Sequence, residues 1–121
     1  PGRFLGLKLL ARCRPGNSAG SVARQGCLPA LEPARPAVGA RVKVCLARGR
    51  TMTSQVDGGS GHSGKRAQEL HFGLGDVPAD KPVAVEIWWR TPAGQLRQEK
   101  LNLLPGWHTI ELLWDKEQAR R

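Results

Sequence analysis

Tyrosine is absent from the 121 residues, and only four Trp and two Phe supply aromatic side chains. No apolar run approaches the ~20 residues that a membrane-spanning helix needs, so we predict no membrane span. The three cysteines form no C-x-x-C pair, and the three histidines lie at no metal-ligand spacing, which argues against a zinc site. The length suits a single domain, which can bury a core without a metal.

Acidic residues are nearly missing from the first part of the chain. Residues 1–50 carry ten Lys or Arg and a single acid, Glu32, whereas residues 51–121 carry nine basic and nine acidic residues. Such a one-sided field attracts a polyanion or an acidic neighbouring domain. No zinc-finger spacing, aromatic-basic strand or basic helix accompanies it, which makes nucleic acid a poor candidate. A basic surface that faces solvent or an acidic domain is the simpler interpretation.

Alternation of apolar and polar residues predicts β-strands in seven segments. In residues 83–90, for example, Val85, Ile87 and Trp89 fall on one face and Trp88 on the other. Gly and Pro turn residues separate the segments, and no sustained helical period occurs before the charged tail. We predict an all-β domain over residues 1–121, a single β-sandwich of about seven strands. The predicted strands are 4–10, 41–47, 51–56, 69–74, 83–90, 95–103 and 107–114.

Residues 11–37 are dense in Gly, Pro and Ser, and this composition predicts a long loop. Cys13 and Cys27 bracket part of it. A disulfide between them would stabilise the fold by roughly 3 kcal/mol on the chain-entropy model. We expect this bridge, with Cys45 free, if the domain is extracytoplasmic; three unpaired thiols are the alternative.

No residues combine into a recognisable catalytic site. The glycine-rich segment 58–64 lacks the Gly-Lys-Ser/Thr ending of a P-loop. Its serines do not lie on a nucleophile elbow. Glu86 and Glu111 lie on predicted strands beside Trp and basic residues, which favours cross-strand pairing. We therefore predict that the domain is not an enzyme and binds no cofactor or metal.

Outward-facing aromatic and basic side chains are the candidates for interaction. Trp88 points away from the apolar face of its strand, and Trp107 and Trp114 have opposite parity, so at least one of that pair faces outward. An exposed Trp marks a partner or sugar-stacking surface. If both faces of these strands are covered, the outward tryptophans have no binding role. The candidate residues are Trp88, Trp107, Arg41, Lys43, His62 and His71.

Four sequence blocks occur in a characteristic order: Val38-Gly-Ala-Arg-Val42, Val56-Asp-Gly-Gly-Ser-Gly61, Leu70-His-Phe-Gly-Leu-Gly75 and Val85-Glu-Ile-Trp88. Together they resemble the ASPIC/UnbV domain of cartilage acidic protein-like and bacterial FG-GAP/VCBS-repeat proteins, which also recurs in enediyne biosynthesis clusters. The resemblance implies a transthyretin-like or immunoglobulin-like sandwich packed against a calcium-binding FG-GAP β-propeller. It carries no catalytic residue.

The expected function follows from this resemblance. The chain begins at Pro1 rather than Met, and we expect a fragment of a longer protein that is secreted or extracytoplasmic. We expect a non-catalytic structural and interaction domain that packs on the propeller of the same polypeptide. One alternative is a carbohydrate- or polyanion-binding module that uses Trp88 or Trp107 for stacking and the N-terminal arginines for anionic groups. The other is an accessory domain of a biosynthetic enzyme.

Overall fold

The computed structural model describes residues 3–14, 16, 20–26, 28–46, 49–56, 69–75, 78, 80–92 and 94–114. Every regular element in these ranges is a β-strand, which confirms the all-β prediction. Within the same ranges no helix is long and apolar enough to cross a membrane. The strands are β1 (Arg3–Arg12), β2 (Gly20–Gln25), β3 (Ala34–Pro36), β4 (Arg41–Cys45), β5 (Thr51–Gln55), β6 (Glu69–Gly75), β7 (Val83–Arg90), β8 (Leu96–Leu103) and β9 (Gly106–Leu113).

The strands form two sheets that pack as a sandwich. The first sheet has the order β2-β9-β1-β3, and β6 also pairs with β1. The second sheet has the order β5-β4-β7-β8. Strand β1 is central to the first sheet, because it pairs with β9 in parallel and with both β6 and β3 antiparallel. The first and last strands of the described fold are therefore direct neighbours.

Alternating apolar side chains of the two sheets meet to form one core. On β1, Leu5, Leu7 and Leu9 are almost fully buried. Burial of a side chain of this size contributes roughly 1.5–3 kcal/mol. The alternation that predicted the strands is the one that fills the core. Further core residues are Val42, Val44, Leu70, Phe72, Leu74, Val85, Ile87, Trp89, Ile110, Leu112 and Trp114.

The structure corrects the predicted loop at residues 11–37 and raises the strand count from about seven to nine. Strand β1 extends to Arg12, and the segment contains β2 and β3. Strand β2 pairs antiparallel with β9, and β3 pairs antiparallel with the end of β1. The sequence of β2, GSVARQ, has one β-branched residue and no apolar alternation, so it carries little strand signal of its own. Its pairing with β9 holds it extended.

The connection between β2 and β3 crosses the outer face of the first sheet. We call its residues 28–33 the crossover segment. Leu28 N donates a hydrogen bond to Thr109 Oγ1 on β9, and Lys8 Nζ on β1 donates to Leu28 O. At the far side, Cys13 N donates to Pro33 O. The crossover segment therefore covers β9 and β1 from outside, so that this part of the first sheet is buried on both faces.

Candidate functional site

The two sheets differ in how their outer faces are covered. Thr109 and Glu111 point outward from β9, yet both are fully buried because the crossover segment lies over them. On the outer face of β7, Trp88 is only half-buried and Arg90 is exposed. The first sheet is therefore closed by its own chain around Thr109 and Glu111, whereas the second sheet is open around Trp88.

Glu111 holds the crossover segment in place. Its carboxylate accepts hydrogen bonds from Arg12 Nε at 2.8 Å, from Arg24 Nη2 at 2.9 Å and from Leu31 N at 2.9 Å. Burial alone would raise the pKa of Glu111, but the Leu31 hydrogen bond and the guanidinium groups of Arg12 and Arg24 outweigh it and lower the pKa below its ordinary value of 4.5. The carboxylate is thus charged and structural.

The open face of the second sheet is centred on Trp88. We call this surface, made by the outward side chains of β4, β7 and β8, the Trp88 face. Trp88 lies opposite Arg41 on β4 and Gln98 on β8. The face is cationic, because four of its side chains are basic and one is acidic. They are Arg41, Lys43, Arg90 and Lys100 against Glu86.

A depression of about 510 Å³ lies at one end of the Trp88 face. Trp88, Arg41 and Arg90 line it together with the apolar side chains of Val38 and Leu96. Val38 and Leu96 are 58% and 61% exposed, which is unusual for aliphatic residues on a folded domain. Sequence reasoning missed Arg90, Val38 and Leu96, although the parity that placed Trp88 outward also applies to Arg90.

Trp107 and His71 lie together on the other sheet, away from Trp88. The His71 ring stacks on Phe4 at a centroid distance of 4.9 Å, and the Phe4 and Trp107 rings meet edge to face at 5.9 Å. Trp107 lies over Gly6 of the neighbouring strand β1, where any Cβ would overlap its ring. We call Phe4, His71 and Trp107 the aromatic cluster.

The remaining candidate residues fall into three groups. Lys43 lies on the Trp88 face beside Glu86. His62 lies outside the described residues. Cys13 is an exposed free cysteine and Cys45 a half-buried one, while Cys27 lies outside the described residues, so the Cys13–Cys27 bridge stays a prediction.

The described side chains do not assemble into a metal site. No three His, Cys, Asp or Glu residues within the described ranges are grouped so that they could hold an ion. His108 is buried, and its Nε2 lies 2.6 Å from the Leu104 carbonyl oxygen in the turn before β9. This ring nitrogen is therefore already hydrogen-bonded. The two candidate surfaces are the Trp88 face and the aromatic cluster.

Comparison with known families identifies the domain. A family model described as ASPIC and UnbV matches residues 30–120. The chain belongs to this family. Neither the curated proteins nor the solved structures give a significant match. The ASPIC and UnbV match covers β3 to β9 and the whole Trp88 face, and it makes the chain a domain of a larger polypeptide. Strands β1 and β2 precede the matched range.

Proposed function

We propose that this ASPIC and UnbV domain is a non-catalytic structural and interaction domain that packs through its Trp88 face on another domain of the same polypeptide. The partner is an FG-GAP-type β-propeller, and the protein is exported. The observation that carries the proposal is a half-exposed Trp at the centre of an open sheet face. Large aromatic rings in such positions act as anchors at protein interfaces.

The asymmetry between the two outer faces supports this choice of surface. The crossover segment satisfies the polar groups of Thr109 and Glu111 on the first sheet, so that part needs no partner to cover it. In the described ranges no segment plays that role over Trp88 and Arg41. A second domain packed on the Trp88 face would exclude water from the indole and from the exposed Val38 and Leu96 side chains.

Charge supports a propeller with calcium loops as the partner. Calcium takes oxygen ligands, so a propeller that binds it presents many carboxylates. The basic side chains of the Trp88 face outnumber its one acidic side chain, Glu86. Complementary charge raises the rate of association and fixes the orientation of the two domains.

The test is to produce this domain and the remainder of its polypeptide as separate pieces and to measure their association by calorimetry. Trp88→Ala should weaken association by about 30-fold, since a buried aromatic anchor contributes ~2 kcal/mol or more. The same variant should lower the free energy of unfolding of the isolated domain by less than about 1 kcal/mol, because surface substitutions cost little.

Two other tryptophans provide controls. Trp89→Ala should cost about 3–5 kcal/mol of domain stability, because Trp89 is 2% exposed and belongs to the core. Trp107→Ala removes a half-buried Trp from the other sheet and should leave association unchanged. Unchanged association in Trp88→Ala would refute the proposal, and loss of association in Trp107→Ala would move the interface to the aromatic cluster.

A carbohydrate-binding module is the second candidate, and the aromatic cluster favours it. Trp107 and His71 stand on a sheet surface with their ring centroids 6.1 Å apart, and sugars stack on such rings. Retention on immobilised glycans that Trp107→Ala abolishes and Trp88→Ala preserves would support this function over domain packing.

A further inference from the structure

The depression on the Trp88 face combines hydrogen-bond donors with a lining that, as far as the structure describes it, has no acidic side chain. The guanidinium group of Arg41 and the indole N–H of Trp88 make no hydrogen bond or ion pair within the described part of the chain. Arg90 Nη1 donates to Gly94 O at 3.0 Å, which fixes its guanidinium at the rim and leaves its other N–H groups available. Among the residues that the structure describes, no acidic side chain lines the depression.

The one acid on this face is already engaged elsewhere. Glu86 lies two residues from Trp88 along β7 and accepts a hydrogen bond from Gln98 Nε2 at 3.4 Å. It is not part of the lining, so no described acidic side chain neutralises the charges of Arg41 and Arg90 within the depression. The site therefore complements a group that brings its own negative charge and hydrogen-bond acceptors.

The apolar lining and the volume of the depression indicate what else the ligand must contain. Val38 and Leu96 offer exposed aliphatic surface beside the two arginines. A volume of about 510 Å³ is enough for one or two side chains but too small for a folded element. Guanidinium groups bind carboxylates through two parallel N–H···O bonds, a geometry that a lysine cannot reproduce.

We propose that the depression binds the carboxylate of an Asp or Glu side chain carried by an apolar segment of the partner domain. The carboxylate lies between Arg41 and Arg90 and accepts from Trp88 Nε1, while the flanking apolar residues of the segment cover Val38 and Leu96. This inference rests on the proposed function, since it assigns the anchor by which the neighbouring domain is held.

The test uses two blocked peptides with the sequence Gly-Leu-Asp-Leu-Gly or Gly-Leu-Asn-Leu-Gly, titrated into the 121-residue chain. Binding is followed by the NMR resonance of the Trp88 indole N–H, which Trp88→Phe identifies. The Asp peptide should shift this resonance and bind about tenfold more tightly than the Asn peptide, because a hydrogen bond to an ionised acceptor is stronger than one to a neutral amide.

Two substitutions that each remove one positive charge test whether the preference for Asp depends on the depression itself. Arg41→Gln should abolish the preference for Asp over Asn. Lys100→Gln removes one positive charge from the same face but lies outside the depression, and it should keep the preference. If both variants lost the preference for the Asp peptide equally, the overall positive charge of the face would be what attracts the peptide, and the proposal would be overturned.

The proposal would also be overturned if the Asp peptide caused no shift or if the two peptides bound with equal affinity. A sulfated disaccharide that shifted the same resonance at lower concentration would overturn it as well, because the depression would then be a glycan site. The association experiment separates this inference from the proposed function. If Trp88→Ala disrupts association while the two peptides bind with equal affinity, packing through the Trp88 face is supported and the carboxylate anchor is refuted.

Discussion

Arg12 on β1 and Glu111 on β9 are joined across the outer face of the first sheet, with Arg12 Nε 2.8 Å from the carboxylate. Arg12 also forms an ion pair with Glu32 of the crossover segment, at 3.2 Å. Because Arg24 and Leu31 bind the same carboxylate, one buried charge links β1, β2, β9 and the crossover segment. The residues that close this face lie far apart in the sequence.

Glu111→Gln should lower the free energy of unfolding by about 3 kcal/mol, because it leaves Arg12 and Arg24 without their shared counter-charge in a buried setting. Urea denaturation measures this change. Glu32→Gln is the matched control, since the Glu32 side chain is 67% exposed while it contacts the same arginine, and it should change stability by under ~0.5 kcal/mol. Similar losses in the two variants would contradict a central role for Glu111.

The stability that Glu111 supplies should depend on pH in one direction. The folded-state pKa of Glu111 lies below its ordinary value of 4.5, so folding favours the ionised form. The difference in unfolding free energy between wild type and Glu111→Gln should be constant above about pH 5.5 and shrink as the pH falls below 4.5. Urea titrations at several pH values measure it. A difference that grows on acidification would mean that the carboxyl is protonated in the folded protein.

Seven strands and the outward position of Trp88 could be predicted because period-two alternation is a local signal. Glu111 was predicted only to lie on a strand and to pair across it, and its burial depends on a segment about 80 residues away that crosses over it. Strand β2 contains only one strong β-former, Val22, and is extended by pairing with β9. Long-range polar contacts of this kind leave no periodic pattern in the sequence, and so the crossover segment was predicted as part of a loop.

The depression on the Trp88 face could be only partly predicted. Arg41 and Trp88 were identified from parity on their own strands. The register of β4, β7 and β8 places Arg41 beside Trp88 and Leu96 beside Arg90. Register is set by the packing of whole strands and by the 91–95 turn, where Thr91 N donates to Gln95 O.

A fragment of residues 30–121, which begins where the family match begins, should not fold. It lacks β1, whose Leu5, Leu7 and Leu9 are at most 1% exposed, and it leaves β9, β6 and β3 without their common neighbour. Circular dichroism should detect no cooperative thermal transition. A peptide of residues 1–29 added in trans should restore one. A fragment as stable as the full chain would mean that β1 is dispensable.

Gly6→Ala should destabilise the domain by about 1–3 kcal/mol, the usual cost of forcing extra volume into a packed site. A Cβ at Gly6 would overlap the Trp107 ring, lying 2.6 Å from Cδ2 and 2.7 Å from Cζ3. The ring must then leave the strand surface and separate from Phe4. Gly73→Ala is the matched control, because Gly73 lies on the adjacent strand β6 opposite Phe4 and an added Cβ there meets nothing within 4 Å. Thermal unfolding of the two variants measures the difference. Equal stability would show that Trp107 can move aside freely, and the aromatic cluster would then be too loosely held to serve as a stacking platform for a sugar.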